Sequence, residues 1–362
     1  MIFDSIQQRD HEQVIFCSDK DSGLKAIIAI HDTTLGPALG GLRMWPYNND
    51  EEALEDVLRL SHGMTYKASI SGLNLGGGKA VIIGDPRSEK SEALFRSFGR
   101  FVEGIGGRYI TAEDVGTSVS DMEWIRLETK FVAGIRSRGG SGDPSPFTAY
   151  GVYHGMKAAC KKVYGSDSLE GKKIAVQGAG NVARYLVGHL SKEGAETIIT
   201  DIYDEKVAHV VSENKNVTVV EPDEIYDVEC DVFSPAALGG SVNDSTIDRI
   251  KAKIVAGAAN NQLKDELRHA QGLKERGILY VPDYVINAGG LINVYVELEG
   301  YSEARALHMT ENIYNIVESI INRAEAENTL TVVASNRLAE QRVNALGKIH
   351  SRYVGETERK EF

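Results

Sequence analysis

One short glycine motif limits the folds open to this chain more than any other feature. The residues Gly178-Ala179-Gly180-Asn181-Val182-Ala183 follow the apolar run Ile174–Gln177 and open a segment with the apolar spacing of a helix. Beyond residue 172, short apolar runs alternate with helical segments, which is typical of a parallel, doubly wound sheet. We therefore predict a Rossmann-like α/β domain whose glycine turn joins its first strand to its first helix.

The same motif predicts what this domain binds. Gly178 suits the tight turn, Gly180 allows a pyrophosphate to approach the backbone, and the small Ala183 suits helix–sheet packing. Asp201 ends the next strand, 23 positions after Gly178. Its carboxylate can accept a bond from a ribose 2′-hydroxyl and repels a 2′-phosphate, so NAD is favoured over NADP. The remaining cofactor-binding candidates of the turn are Ala179, Asn181 and Val182. A glycine turn without a ligand, with Asp201 as a surface cap, is the alternative.

A second feature lies in the first third of the chain. Lys67 and Lys79 are separated by 12 positions, and Gly76-Gly77-Gly78 directly precedes the second lysine. Three glycines predict a turn that lets backbone or ligand come close. A lysine at the mouth of such a turn, partly shielded from water, is suited to acid–base chemistry. Asp114 follows the apolar run Tyr109–Glu113 and is a candidate partner. Two solvated lysines and an ordinary strand-end carboxylate are the alternatives.

Composition excludes several classes of protein. A length of 362 residues predicts about two domains, and a net charge of −12 argues against nucleic-acid binding. No apolar run approaches the roughly 18 residues of a membrane span, and the N-terminus lacks a secretory signal. The three cysteines lie far apart and form neither a disulfide framework nor a metal motif, so a cytoplasmic protein without bound metal is expected.

Several long motifs, in order along nearly the whole chain, resemble one known family. They are His31–Gly41, Gly72–Lys79, Tyr109–Gly116, Gly142–Gly151, the glycine motif and Pro282–Gly290. The family is that of the glutamate/leucine/phenylalanine/valine dehydrogenases. The resemblance implies NAD-dependent oxidative deamination of an L-amino acid to a 2-oxo acid and ammonia, and the reverse amination. It also implies a homo-oligomer, an octamer in the branched-chain members.

The resemblance implies a role for each candidate residue. Lys67 binds the substrate carboxylate, Lys79 is the catalytic lysine and Asp114 transfers protons. Thr148 and Asn260 contact the nicotinamide, while Asn261 contacts the substrate. The substrate-pocket candidates are a backbone wall and four apolar residues: Gly40, Leu39, Ala112, Leu291 and Val294. As alternatives, Asn260 and Asn261 cap the helix that follows them, and Val294 is an ordinary core residue.

The implied fold has two domains with a cleft between them. Residues 1–136, with a C-terminal helix at about 331–362, form the α/β domain for substrate binding and oligomerisation. Residues 137–330, which begin near the glycine- and proline-rich linker Arg138–Pro146, form the Rossmann domain.

The implied substrates are branched-chain: leucine, with valine and isoleucine. Ala112 limits the room for a ring, but Leu291 departs from the branched-chain pattern, so phenylalanine is the alternative. A 2-hydroxy-acid dehydrogenase would require a His–carboxylate pair and an arginine, and a Rossmann binding protein leaves Gly76–Lys79 unexplained.

Overall fold

The computed structural model describes residues 2–135 and 140–350, and the chain divides into two compact units. The first comprises Met1–Asp143, Val294–Ser302 and Ala339–Phe362, and the second comprises Pro144–Asn293 and Glu303–Leu338. The predicted linker falls partly on residues 138–139 and the predicted C-terminal helix partly on residues 351–362, which lie outside the described residues.

The predicted domain boundaries lie at residues 136/137 and 330/331, whereas the corresponding unit boundaries lie at 143/144 and 338/339. The main difference is that Val294–Ser302, predicted as part of the Rossmann domain, belongs to the first unit. Glu297 in this segment contacts the rest of the first unit, since its Oε2 accepts the backbone N–H groups of Gly134 (3.0 Å) and Ser141 (2.8 Å). The Ser141 hydroxyl donates to the same oxygen, at 2.5 Å.

The first unit is built on a mixed sheet of five strands in the order β1-β2-β4-β3-β5. Strands β1–β2 and β2–β4 pair antiparallel, whereas β3 pairs parallel with both β4 and β5. The strands are β1 Gln13–Asp19, β2 Leu24–Asp32, β3 Ala38–Trp45, β4 Gly76–Ile83 and β5 Tyr109–Glu113. The helices between Ile2 and Arg126 are α1 Ile2–Gln8, α2 Asp50–Ile70, α3 Glu92–Gly104 and α4 Val119–Arg126. The predicted β1–β2 hairpin is confirmed.

Local sequence explains where these helices begin. The sequence predicts Asn49 or Asp50 as the cap of α2 and Ser91 as the cap of α3. The Asn49 side chain accepts the N–H of Glu52, and the Ser91 side chain accepts that of Leu94. For α4 the sequence predicts Ser120 or Asp121, but Ser118 is the cap, and Asp121 completes a capping box with it. On one face of the sheet α2 buries Ala53, Leu54, Val57 and Leu58 against β2 and β4, and on the other α3 buries Leu94, Phe95, Phe98 and Val102.

The second unit contains the predicted doubly wound sheet. All six strands are parallel, in the order β11-β10-β9-β6-β7-β8. The strands are β6 Lys173–Gln177, β7 Glu196–Thr200, β8 Val217–Val219, β9 Val232–Pro235, β10 Ile254–Val255 and β11 Leu279–Tyr280. The order reverses between β6 and β9, which is the switch point where ligands bind in such sheets.

Helices connect these strands and complete the chain. They are α5 Ser145–Tyr164, α6 Asn181–Glu193, α7 Asp204–Glu213, α8 Glu266–Glu275, α9 Asp283–Ile286, α10 Gly289–Leu298, α11 Glu303–Glu311, α12 Ile313–Ala326 and α13 Thr331–His350. Among the described residues no helix has both the length and the apolar composition to cross a membrane.

Candidate active site

Lys79 and Asp114 form a shielded ion pair in the first unit, on neighbouring parts of its sheet. Lys79 Nζ lies 2.8 Å from Asp114 Oδ2, and the two side chains are 7% and 21% exposed. Lys79 belongs to β4, and Asp114 directly follows β5. The prediction that this carboxylate is a partner of Lys79 is therefore matched by the geometry.

Gly41 lies between these two residues and makes their contact sterically feasible. Strand β3 separates β4 from β5, and its register places Leu42 opposite Ala80 and Gly41 opposite Ala112. A Cβ atom on Gly41 would lie 2.5 Å from the Glu113 carbonyl oxygen and 2.8 Å from Asp114 Cβ. The bare backbone at this position therefore gives Asp114 the room it occupies.

Arg43 is a second cation on the same carboxylate, and the sequence analysis missed it. Its Nε donates to Asp114 Oδ2 at 3.0 Å, the oxygen that also binds Lys79. Burial would raise the pKa of Asp114, but the positive charges of Lys79 and Arg43 outweigh it and lower that pKa to about 2. The only signal in the sequence is that Arg43 lies two positions after Gly41, on the same face of a strand.

Arg43 is itself held by a second carboxylate. Its Nη1 donates to Asp56 Oδ2 at 2.8 Å, and Tyr47 donates its hydroxyl to the same oxygen at 2.7 Å. Arg59 pairs with the other Asp56 oxygen at 2.8 Å. Burial opposes the charge of Arg43, yet Asp114 and Asp56 together raise its pKa. The guanidinium thus bridges β3, α2 and the residue after β5.

The glycines before Lys79 form part of strand β4, so the predicted turn is wrong. Each glycine is required by dense packing rather than by chain reversal. A Cβ atom on Gly77 would lie 2.2 Å from both the backbone nitrogen and the hydroxyl of Thr65 in α2. On Gly76 it would lie 2.0 Å from the Asp32 carbonyl oxygen, and on Gly78 2.7 Å from the Tyr109 ring. The run therefore allows α2 to lie directly on β4.

This packing locates Lys67. It occupies the last turn of α2, two residues after Thr65, while Lys79 lies two residues after Gly77 on the strand beneath. The side chain of Lys67 is half-buried. The close approach of α2 to β4 therefore brings the backbone segments that carry the two lysines together.

The predicted substrate-pocket residues fall on three elements, β3, β5 and α10. Leu39 and Ala112 are buried on β3 and β5. The Gly40 carbonyl accepts the Tyr109 hydroxyl at 2.7 Å, so part of the predicted backbone wall has a partner inside the protein. Leu291 and Val294 both lie on α10, but Leu291 belongs to the second unit and Val294 to the first.

The predicted nucleotide turn lies at the switch point of the parallel sheet. Gly178 follows β6 with a φ of +112°, and a Cβ atom there would lie 2.9 Å from the Ala237 nitrogen after β9. Gly180 precedes α6, and a Cβ atom on it would meet no described atom within 4 Å. Protein packing therefore explains the glycine at 178 but not the one at 180.

The other residues predicted to bind the cofactor lie at the start of α6 and directly after β7. Asn181, Val182 and Ala183 form the first turn of α6, where backbone N–H groups lack helical partners. Asp201 follows β7, and its Oδ2 accepts the Ala179 N–H at 2.7 Å. The Asp201 side chain is thus hydrogen-bonded to the glycine turn itself.

Asn260 and Asn261 are exposed and do not cap a helix. The next helix, α8, is capped by Asp265, so the capping alternative is wrong. Asn260 Oδ1 accepts a bond from Asn287 Nδ2 at 2.7 Å, and Asn287 is only 5% exposed. Asn287 is thus a supporting residue that the sequence analysis missed. Thr148 lies in the first turn of α5, where its hydroxyl donates to the Pro144 carbonyl at 3.1 Å.

Three histidines form a cluster of rings near Thr65, and one of them, His62, belongs to α2 itself. The His31 ring lies 4.9 Å from His11 and 4.6 Å from His62, centre to centre. His31 Nδ1 and Thr65 Oγ1 are 2.7 Å apart. Burial lowers the pKa of His11 and of His62 to about 4, with a further contribution from the charge of His31. The cluster therefore packs with neutral rings at neutral pH.

Two family models match the chain and divide it close to the structural units. The Glu/Leu/Phe/Val dehydrogenase dimerisation domain matches residues 11–131. The Glutamate/Leucine/Phenylalanine/Valine dehydrogenase model matches residues 139–350.

Individual relatives agree with these models. Leucine dehydrogenase from Geobacillus stearothermophilus is 59% identical over 354 residues, which are 98% of this chain and 96% of the relative. Phenylalanine dehydrogenase from Lysinibacillus sphaericus is 51% identical over 339 residues, 92% of this chain and 89% of the relative. The crystal structure of L-tryptophan dehydrogenase from Nostoc punctiforme matches with a TM-score of 0.84 and 47% identity, covering 96% of this chain and 99% of that one.

Of these two relatives, the leucine dehydrogenase is more similar in sequence to this chain than the phenylalanine dehydrogenase. The chain therefore belongs to the glutamate/leucine/phenylalanine/valine dehydrogenase family and is an amino-acid dehydrogenase, an oxidoreductase that works with a nicotinamide cofactor.

Proposed function

We propose that this chain catalyses the NAD-dependent oxidative deamination of L-leucine, and of valine and isoleucine, together with the reverse amination. Leucine, water and NAD yield the 2-oxo acid, ammonium, NADH and a proton. The observation that carries this proposal is the Lys79–Asp114 pair, because oxidative deamination requires both the activation of a water molecule and proton transfer at nitrogen.

NAD fits the residues of the second unit. The open space at Gly180 and the free N–H groups at the start of α6 suit a pyrophosphate, which the helix dipole also favours. Asp201 suits the ribose hydroxyls and disfavours a 2′-phosphate, which supports NAD over NADP. Thr148 and Asn260 would hold the nicotinamide, with Asn287 fixing the orientation of Asn260. The bound nicotinamide supplies the acceptor for the hydride that leaves the substrate Cα.

The first unit supplies the acid–base groups. Lys67 binds the substrate carboxylate as a fixed positive charge and so orients Cα. Lys79, in its neutral form, removes a proton from the water that adds to the substrate iminium, and then stabilises the new oxygen. Asp114 accepts a proton from the substrate ammonium group before the hydride leaves and returns it to the departing nitrogen. Ammonia thus leaves with a proton that the carboxylate has held. From the second unit, Asn261 would contact the substrate.

The pocket residues support an aliphatic side chain. Leu39 and Ala112 are buried on adjacent strands, and Leu291 and Val294 follow one another on a single helix. With Gly40, they would offer the substrate side chain apolar contacts without a charge, which disfavours glutamate. One methylene in such a pocket changes discrimination by about 1–3 kcal/mol, so leucine, valine and isoleucine should all react. The higher identity to leucine dehydrogenase supports leucine over phenylalanine.

We further propose that the protein is a cytoplasmic homo-oligomer, an octamer, that does not bind nucleic acid or membranes. The dimerisation description of the first family model supports assembly through the first unit. The three cysteines are unpaired thiols, as expected in a reducing compartment.

An amino-acid panel tests the proposed reaction. NADH formation is measured with leucine, valine, isoleucine, phenylalanine and glutamate, each with NAD and with NADP. We expect the highest kcat/KM with leucine and NAD. A maximum with phenylalanine would overturn the substrate, a maximum with NADP would overturn the cofactor, and no reaction with any of them would overturn the function.

A further inference from the structure

The carboxylate of Asp114 binds two cations through one oxygen atom. Lys79 Nζ lies 2.8 Å and Arg43 Nε lies 3.0 Å from Oδ2. The proposed reaction uses Lys79 and Asp114 but gives no task to Arg43. An arginine bound to a catalytic carboxylate nevertheless affects the charge of that site, since the guanidinium keeps its positive charge at every pH at which the enzyme folds.

We propose that Arg43 is a positioning residue for this reaction, which fixes Asp114 by Oδ2 and keeps it ionised when Lys79 loses its proton. This inference rests on the proposed function of the Lys79–Asp114 pair. Because both cations bind Oδ2, the second oxygen, Oδ1, is left to exchange a proton with the substrate nitrogen while the hydrogen bonds to Oδ2 persist.

The argument follows from the charges of the three side chains. With Lys79 protonated, they carry +1, −1 and +1, and removal of one proton leaves a neutral set. Without Arg43, the same step would leave an isolated negative charge at a site where Lys79 is 7% exposed and Asp114 21% exposed. Such a charge is strongly disfavoured by desolvation. Arg43 thus makes the proton loss that starts the reaction easier.

The surroundings of Arg43 fix it for this task. Asp56 on α2 holds its Nη1 at 2.8 Å, and Tyr47 and Arg59 hold Asp56 in turn. A guanidinium fixed at both ends cannot follow a mobile carboxylate, so Asp114 is constrained instead. A residue that served only to join β3 to α2 would need the contact with Asp56 but not the contact with Asp114.

The other groups that face Asp114 do not replace Arg43. From its own strand, the Tyr109 hydroxyl donates to Gly40 and has its pKa raised by burial, so it stays neutral. The Thr117 hydroxyl accepts the Asp114 backbone N–H, and the Val115 backbone donates to the carboxylate. Across the sheet and from α2, the charged groups are Lys79, Arg43 and, behind Arg43, the Asp56–Arg59 pair.

The test compares pH–rate profiles of kcat/KM for leucine in wild type and Arg43→Met. The acid limb reports the proton that the Lys79–Asp114 pair must lose, as a property of the pair. We expect this limb to move to higher pH by about one unit, since a charge within 4–6 Å shifts such equilibria by 1–3 units. At a pH on the acid limb, kcat/KM of Arg43→Met should be about tenfold below that of wild type. At higher pH it should approach the wild-type plateau. Arg43→Lys should restore the limb.

Two further variants keep the test decisive. Asp56→Asn retains the contact between Arg43 and Asp114 and should leave the limb within about 0.3 unit of wild type. The double variant R43M/D56N removes both members of the Arg43–Asp56 pair, which is better tolerated than removal of one member alone. It should show the same shifted limb if Arg43→Met alone does not fold.

The outcomes separate this inference from the proposed function. A lowered plateau with an unmoved limb in Arg43→Met, or in R43M/D56N, would give Arg43 a purely structural role and overturn the inference. NAD binding by each variant shows that the second unit is intact. If the wild type oxidises no amino acid, the proposed function fails, whereas an active wild type with an unmoved limb defeats only the role of Arg43.

Discussion

The packing of α2 on β4 at Gly77 yields a sharp prediction for Gly77→Ala. A Cβ atom at this position would lie 2.2 Å from two Thr65 atoms and 2.5 Å from the Ser61 carbonyl oxygen. Real Cβ contacts are longer than 3.0 Å, and two of these three atoms are backbone. The helix must therefore withdraw from the strand by about 1 Å. Overpacking of this kind costs about 1–3 kcal/mol of folding free energy.

The same displacement should reduce activity, because Lys67 is carried by the last turn of α2 and Lys79 by β4. A misplacement of about 1 Å at a reacting centre can lower the rate about 100-fold. We expect Gly77→Ala to lower kcat/KM for leucine by about 10- to 100-fold and to lower the urea midpoint. NAD binding, measured by fluorescence titration, should remain at the wild-type value because its residues lie in the second unit.

Gly63→Ala is the matched control, since it also adds a methyl group near Thr65 but at an exposed position of α2. A Cβ atom there would meet no described atom within 4 Å, and alanine favours a helix interior by up to about 1 kcal/mol over glycine. The control should be slightly stabilised and fully active. Wild-type activity in a destabilised Gly77→Ala would refute the argument that this contact positions Lys67, and wild-type stability would refute the packing itself.

Two further predictions concern pH and the cofactor. His11 and His62 have their pKa lowered to about 4 from 6.5, so their contribution to stability is complete above pH 6.5 and is lost as pH falls towards 4. The urea midpoint should fall steeply between these pH values, and much less so in His62→Gln; an equal fall in both would contradict this origin. Asp201→Ala should lower the NAD/NADP ratio of kcat/KM at least tenfold, and Asp201→Asn, which keeps an acceptor for Ala179, should separate charge repulsion from support of the turn. An unchanged ratio in both variants would remove Asp201 from cofactor choice.

The second unit could be predicted from sequence almost completely, because its signals are local. The apolar runs that form β6, β7, β9, β10 and β11 are short and bounded by helical segments, and the glycine motif stands at the turn between β6 and α6. Gly178 has a positive φ, and this is the backbone conformation for which a turn favours glycine.

In the first unit, the role of the glycine run could not be predicted because its cause is remote in sequence. Gly76–Gly78 lie in a strand, although glycine is unfavourable there. The atoms that exclude larger side chains belong to Asp32, Thr65 and Tyr109. None of these is adjacent in the chain, so a turn was the natural local interpretation.

The same limit applies to Arg43 and to Val294–Ser302. The partners of Arg43 are 13 and 71 positions away, and only the register of β3 between β4 and β5 brings Asp114 within reach. Helix α10 runs without a break from Gly289 to Leu298, so nothing in its sequence marks the residue where the first unit resumes.

The proposal that Lys79 is the acid–base group of leucine oxidation can be tested directly with one variant. Initial rates of NADH formation are measured with saturating leucine and NAD for wild type and Lys79→Ala, alongside NAD binding. General acid–base catalysis contributes about 10²–10⁴-fold, so the account predicts a loss of kcat of at least about 100-fold with NAD affinity unchanged. A variant that binds NAD and retains the wild-type kcat would contradict the account.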